Sequence, residues 1–167
     1  MDKEEKYQLL EAQIASLIEG ETDAVSVMAN VCAAIHETMD FFWTGFYVVK
    51  PTAAGGESAC DGERHEELRL GPFQGPVACM HIPYGRGVCG TAWKQCKTIV
   101  VDDVEQFPGH IACSSLSRSE IVVPLMASDG TVRAVLDIDS TALATFDAID
   151  RRHLESIIST LRYLFDE

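Results

Sequence analysis

Two runs rich in Val, Ile and Leu, EIVVPLMA (120–127) and TVRAVLDID (131–139), are separated only by Ser128-Asp129-Gly130. The Asp-Gly step is a tight-turn signal, so the pair is predicted to fold back as an antiparallel hairpin. A hairpin of this composition needs partner strands and an apolar cover. The cover is predicted from the two ends of the chain. Near the N-terminus, Tyr7, Leu10, Ile14, Leu17 and Ile18 recur at helical spacing and stop at Gly20. Asp23 then caps a second helix, whose stripe of Ala24, Met28, Val31, Cys32 and Ile35 takes Cys32 into the core. At the C-terminus Asp147 caps a helix carrying Leu154, Ile157, Ile158, Leu161, Leu164 and Phe165 on one stripe.

Between these helices, FFWTGFYVVK (41–50), ELRLGPF (67–73), VACMHIP (77–83) and TIVV (98–101) read as strands. The glycine-rich GRGVCGTAW (85–93) reads as a turn entering a short helix. PTAAGGESACDGERHEE (51–67) has no periodicity and reads as a long exposed loop containing Cys60. The predicted fold class is α+β, an antiparallel sheet with N- and C-terminal helices packed on one face. At 167 residues, one domain spanning 1–167 is expected.

A net charge of -13 disfavours a phosphate-tracking surface, so neither nucleic acid nor an anionic membrane is an expected partner. MDKEEK lacks the apolar segment of a signal peptide and no run reaches the length of a membrane span, which points to a cytoplasmic protein. The six cysteines, Cys32, Cys60, Cys79, Cys89, Cys96 and Cys113, form no Cys-x-x-Cys pair and no zinc-finger spacing with His. No structural metal site and no cofactor are expected from them, and redox chemistry is the simpler use.

Asp137 and Asp139 close an otherwise apolar strand. Two residues apart, they share a face, and like charges so near raise one carboxyl's pKa and keep it an acid. Asp139 also opens the sequence DSTA, which leaves a solvent-facing turn as its alternative. Glu120 begins the neighbouring strand and is expected beside the Asp pair, or else as a charged strand edge. Cys113 lies in FPGHIACSSLSRSE (107–120), a loop leading into that strand, where His110 and Arg118 would favour a thiolate; a small core residue is the alternative. Cys79, by the alternation in VACM, reads as a core residue. Cys89, after Gly85-Arg86-Gly87, enters a helix whose N–H groups suit a substrate carboxylate or a reactive thiol. The run does not match a Rossmann or P-loop fingerprint. Cys96 in KQCKT reads as a surface thiol. Trp43 and Tyr47 share a strand face and would wall a small apolar cavity or pack in the core.

WTGFY (43–47), LGPFQGPVAC (70–79), IPYGRGVCGTA (82–92), GHIAC (109–113), SEIVVPL (119–125) and LDIDS (136–140) together resemble the free methionine-(R)-sulfoxide reductases, a GAF-domain family. The resemblance runs from the first strand to the last helix. It implies a GAF-like sheet and thiol-dependent reduction of free methionine-(R)-sulfoxide without metal or organic cofactor. It further implies that Cys113 is the nucleophile, Cys79 the recycling thiol and Cys89 an auxiliary one, with the division between the last two open. Glu120, Asp137 and Asp139 would hold the substrate ammonium and assist loss of the oxygen, with Trp43 and Tyr47 around the methyl group. Thioredoxin or a similar dithiol would be the reductant, and a homodimer is expected. Ser114 stands where an acid is common in the family and Arg118 where a small polar residue is common. A ligand-binding or redox-sensing GAF module without turnover is the competing reading.

Overall fold

The computed structural model describes residues 1–52 and 65–166. Cys60 and most of the expected 51–67 loop lie outside the described residues. Helix α1 (Lys3–Ile18) is followed by α2 (Ala24–Met39), strand β1 (Trp43–Pro51), β2 (Glu66–Gln74), β3 (His81–Pro83), helix α3 (Gly87–Gln95), β4 (Ile99–Val101), β5 (Ser119–Met126), β6 (Val132–Ser140) and α4 (Ala148–Ser159). The six strands form one antiparallel sheet in the order β3-β2-β1-β6-β5-β4. The predicted caps are present, with Asp23 accepting from Ser26 N at 2.8 Å and Asp147 from Ile149 N at 2.9 Å. Gly130 has a left-handed φ of +82°, which lets its N–H donate to the Ala127 carbonyl at 2.9 Å and closes the β5–β6 hairpin.

Strand alternation divides the molecule into two cores. Phe46 and Val48 of β1, Ile121, Val123 and Leu125 of β5, and Leu136 and Ile138 of β6 face the helices α1, α2 and α4. The residues between them, Tyr47, Val122 and Val135, face the opposite way and pack with Val88, Cys89, Ala92 and Trp93 of α3. The terminal helices therefore share one face, as expected, while α3 covers the other.

VACM (77–80) departs from its predicted strand. β3 begins only at His81, and Val77 is 88% and Met80 67% exposed. Gly75, at φ +128°, and Pro76 turn the chain out of β2. The segment's carbonyls then find side-chain donors: Trp43 Nε1 reaches the Pro76 oxygen at 3.0 Å and the Tyr47 hydroxyl reaches the Cys79 oxygen at 2.9 Å.

Helix α1 is fixed across α4 by a polar clamp. The buried Asp150 accepts from the Tyr7 hydroxyl at 2.7 Å and from Lys3 Nζ at 2.6 Å, while the Tyr7 ring stacks on His153 at 4.9 Å. Asp150→Ala would leave the buried Tyr7 hydroxyl without its acceptor and leave Lys3 Nζ with Asp147 alone, at 2.9 Å. It should cost about 3 kcal/mol, read as a lower urea midpoint at unchanged slope; a loss below about 1 kcal/mol would show that the clamp contributes little.

Candidate active site

One cleft on the α3 side of the sheet gathers Trp43, Tyr47, Cys89, Cys113, Glu120, Asp137 and Asp139. Their positions follow from register. Asp139 lies opposite Glu120 on β5 and Trp43 on β1, and Asp137 lies opposite Val122 and Gly45. The three acids therefore crowd one end of the sheet, as the two-residue spacing and the hairpin predict.

Gly45 keeps the space above β1 usable. A Cβ there would collide with the Trp43 indole and approach the Phe73 Cβ to 2.6 Å. Trp43 instead lies across the glycine, stacked between Phe73 at 5.4 Å and Tyr47 at 6.0 Å. Both predicted aromatics thus line the cleft, and both also hold the 76–79 segment through the hydrogen bonds to Pro76 and Cys79. Phe73 was not predicted; its signal was an aromatic on the strand adjoining Gly45.

The thiols take three different environments. Cys79 and Cys113 are joined in a disulfide with Cα atoms 5.6 Å apart, linking the 75–80 segment to the 107–118 loop. Cys79 is half-buried and Cys113 exposed, so neither is the core residue that one reading of each allowed. Cys89 is a free buried thiol on the first turn of α3. Burial and the neighbouring Asp137, Glu120 and Asp139 hold its pKa well above the ordinary thiol value. Cys32 is free in the core and Cys96 free at the exposed end of α3, both as expected.

Arg118 does not adjoin the thiol. It is exposed and does not line the cleft, because its backbone is fixed by N–H donation to the Ser140 oxygen at 2.7 Å and by acceptance from Val104 N at 2.9 Å. His110 does line it, with Nε2 3.6 Å from Glu120 Oε2, and burial lowers its pKa. Ile111, whose side chain packs over Gly87, forms part of the same wall. Its signal was weak, a single apolar residue inside a polar loop.

The acids are held toward their neutral forms. Burial, then repulsion from Asp139, raises Glu120 to about 8; burial and Glu120 raise Asp137 well above its usual value, and burial and Asp137 do the same to Asp139. Asp137 Oδ1 is buried with no hydrogen-bond partner. A buried acceptor in this condition normally costs about 1–3 kcal/mol, so the cleft is built around an unmet need for a donor.

A carboxyl whose folded pKa exceeds its unfolded value adds stability at low pH and loses it as pH rises from the unfolded value through the folded one. For Glu120 that window runs from about pH 4.5 to about pH 8. Glu120→Gln should therefore be more stable than wild type at about pH 8, by at least about 1 kcal/mol, with the gap closing toward about pH 5. Thermal melts across that range test it, and a gap independent of pH would remove the ionisation argument.

Residues 21–164 match the GAF domain family. GAF domain-containing protein A of Dictyostelium discoideum is 51% identical over 95% of this chain and 92% of its own length. The free methionine-R-sulfoxide reductase of Escherichia coli (strain K12) is 39% identical over 96% of this chain and 89% of its own. The X-ray structure of the free methionine-R-sulfoxide reductase of Neisseria meningitidis, in complex with its substrate, superposes with a TM-score of 0.85 at 47% identity, covering 99% of this chain and 91% of that one. A match of this extent, over the same fold that brings the cysteines to the acids, means that this chain belongs to the GAF-domain family of free methionine-R-sulfoxide reductases.

Proposed function

We propose that the protein reduces free L-methionine-(R)-sulfoxide to methionine, using Cys113 as nucleophile and Cys79 to recycle it. The observation that carries this reading is the Cys79–Cys113 disulfide beside a cleft floored by the buried Glu120 and Asp137 and the half-buried Asp139, with one oxygen of Asp137 unpartnered. The substrate ammonium gives Asp137 Oδ1 its missing donor. The substrate carboxylate meets the first turn of α3, where the cap residue Arg86 makes no side-chain capping bond and also lines the cleft. The methyl-thio group lies against Trp43 and Tyr47.

With the disulfide reduced, the Cys113 thiolate attacks the sulfoxide sulfur. Glu120, raised to about 8, still carries a proton at neutral pH and donates it to the departing oxygen. The oxygen passes to Cys113 as a sulfenic acid and methionine leaves. The Cys79 thiol then displaces that oxygen as water and closes the disulfide, and an external dithiol reopens it. Cys89 is poorly suited to the recycling step because the acids around it oppose its thiolate.

A thioredoxin-like protein suits the last step. Val77 and Met80 flank Cys79, and Leu116 follows Cys113 by three residues at 60% exposure, so apolar surface surrounds an accessible disulfide. The free thiols of Cys32, Cys89 and Cys96 fit a reducing, cytoplasmic setting. A homodimer belongs to the same reading.

Methionine release from free methionine-(R)-sulfoxide is the direct assay. Cys113→Ser should lower kcat/KM by at least about a thousandfold with any reductant. Cys79→Ser should still yield about one methionine per protein but lose thioredoxin-driven turnover. Full activity in Cys113→Ser would overturn the mechanism, and one stoichiometric oxidation by the wild type would indicate a sensor.

Because the empty cluster holds protons that an ammonium displaces, substrate binding should release protons and strengthen between about pH 6 and about pH 8. Calorimetry in buffers of different ionisation enthalpy measures this. N-acetylation of the substrate removes the ammonium and should lower kcat/KM by about ten-thousandfold. Proton-neutral binding, or equal use of the acetylated compound, would displace the ammonium from the acids.

A further inference from the structure

Cys89 stands outside the disulfide, yet its sulfur is not simply packed in apolar surroundings. Its Sγ, a carboxyl oxygen of Glu120 and a carboxyl oxygen of Asp137 all lie within 4.8 Å of one another, and all three residues are buried. Asp137, 6% exposed and lining the cleft, also carries the oxygen that lacks a partner. A buried thiol and two carboxyls converging on an unsatisfied acceptor form a donor set with both soft and hard members. Calcium and magnesium take oxygen ligands alone, whereas zinc accepts sulfur and oxygen together.

We propose that Cys89, Glu120 and Asp137 bind a thiophilic divalent cation of the zinc class at the floor of the cleft. Tetrahedral ligation at zinc bond lengths needs one sulfur and two oxygens about 3.3–3.6 Å apart, so the three groups need close by no more than about 1.5 Å, within the reach of side-chain rotation. The fourth position faces the cleft and takes water. His110, whose Nε2 is 3.6 Å from Glu120 Oε2, stands beside it. Binding exchanges the Cys89 S–H proton, and any proton on the two carboxyls, for the metal. Protons are released and no electrons move.

The spacing of the cysteines in sequence could not reveal this site, because its ligands come from α3, β5 and β6 and meet only through the sheet register. It has three protein ligands and an open position, unlike a closed structural zinc site. The metal would occupy the acids assigned above to the substrate ammonium, so ion and substrate should exclude one another. That exclusion rests on the proposed function; the metal site itself does not.

The test uses the full chain in its oxidised form, with the Cys79–Cys113 sulfurs withheld by their disulfide, and Co²⁺ as the probe. One equivalent of Co²⁺ should produce thiolate-to-cobalt charge-transfer absorption in wild type and in Cys96→Ser, and Zn²⁺ should abolish it by displacement. Cys89→Ser should lack the band. Asp137→Asn, which keeps the side-chain shape and guards against a folding failure in the serine variant, should bind Co²⁺ at least about tenfold more weakly. An unchanged band in folded Cys89→Ser, or undiminished affinity in Asp137→Asn, would overturn the site. Methionine sulfoxide should bleach the band; a cobalt site that forms as described but resists bleaching would uphold the metal site and overturn the placement of the ammonium.

Discussion

The pairing of β6 with β5 on one side and β1 on the other decides where every acid of the cleft stands. Glu120, Asp139 and Trp43 share one rung, and Asp137 shares the next same-face rung with Val122 and Gly45. A slip of one residue in either pairing would turn Asp137 and Asp139 toward the helices and Leu136 and Ile138 toward the cleft. The apolar face prevents this. Ile121, Val123, Leu125, Leu136 and Ile138 are fully or almost fully buried, and each contributes about 1.5–3 kcal/mol by that burial. Together these exceed the cost of three neutral or poorly satisfied carboxyls at about 1–3 kcal/mol each. The same two strands thus hold the register with one set of side chains and sustain an unfavourable polar cluster with the alternate set.

The redox pair is placed by a different device. Neither Cys79 nor Cys113 belongs to a strand or helix; each sits in a loop whose backbone is tied down at particular points. On one side Trp43 and Tyr47 reach from β1 to the carbonyls of Pro76 and Cys79. On the other, Arg118 is pinned to Ser140 and Val104 just before β5 begins. The two loops wall the cleft, and the disulfide joins them. Disulfide exchange requires sulfurs to change partners, which loops accommodate more readily than the ladder behind them. Trp43 and Tyr47 therefore serve the apolar wall and the position of Cys79 together.

The helices, the hairpin and the grouping of the acids were legible because each rests on local periodicity or a short turn. Asp23 and Asp147 announce helix starts, and the Ser128-Asp129-Gly130 turn starts the hairpin, whose one-residue register shift between Leu125 and Met126 then brings Glu120 to Asp139. Elements fixed by distant partners were not legible. VACM has strand-like alternation, but the carbonyls of Pro76 and Cys79 accept from side chains of a strand more than thirty residues earlier, a competition that no window of sequence contains. Arg118 lies five residues from Cys113 and was expected beside it, yet the backbone bonds that start β5 leave it in solvent. The side of the sheet taken by α3 was equally hidden, because nine residues, two of them glycines, carry little amphipathic signal.

The contrast between the thiols is a matter of dielectric surroundings more than of sequence context. Cys89 is buried against the acids, and its lost hydration and their repulsion both oppose its thiolate. Cys113 and Cys79 lie at the accessible side, where solvent screens the same charges. One acidic cluster therefore holds protonated carboxyls and a neutral thiol at the floor of the cleft, with the Cys79–Cys113 disulfide at its accessible side. The same neutral thiol becomes a strong ligand when a cation replaces its proton, since the charge that raised its pKa is then neutralised by the metal. In the two proposals above, a single floor of acids beside a cysteine accepts an ammonium or a metal ion, and the two compete because both answer the same unpartnered oxygen of Asp137.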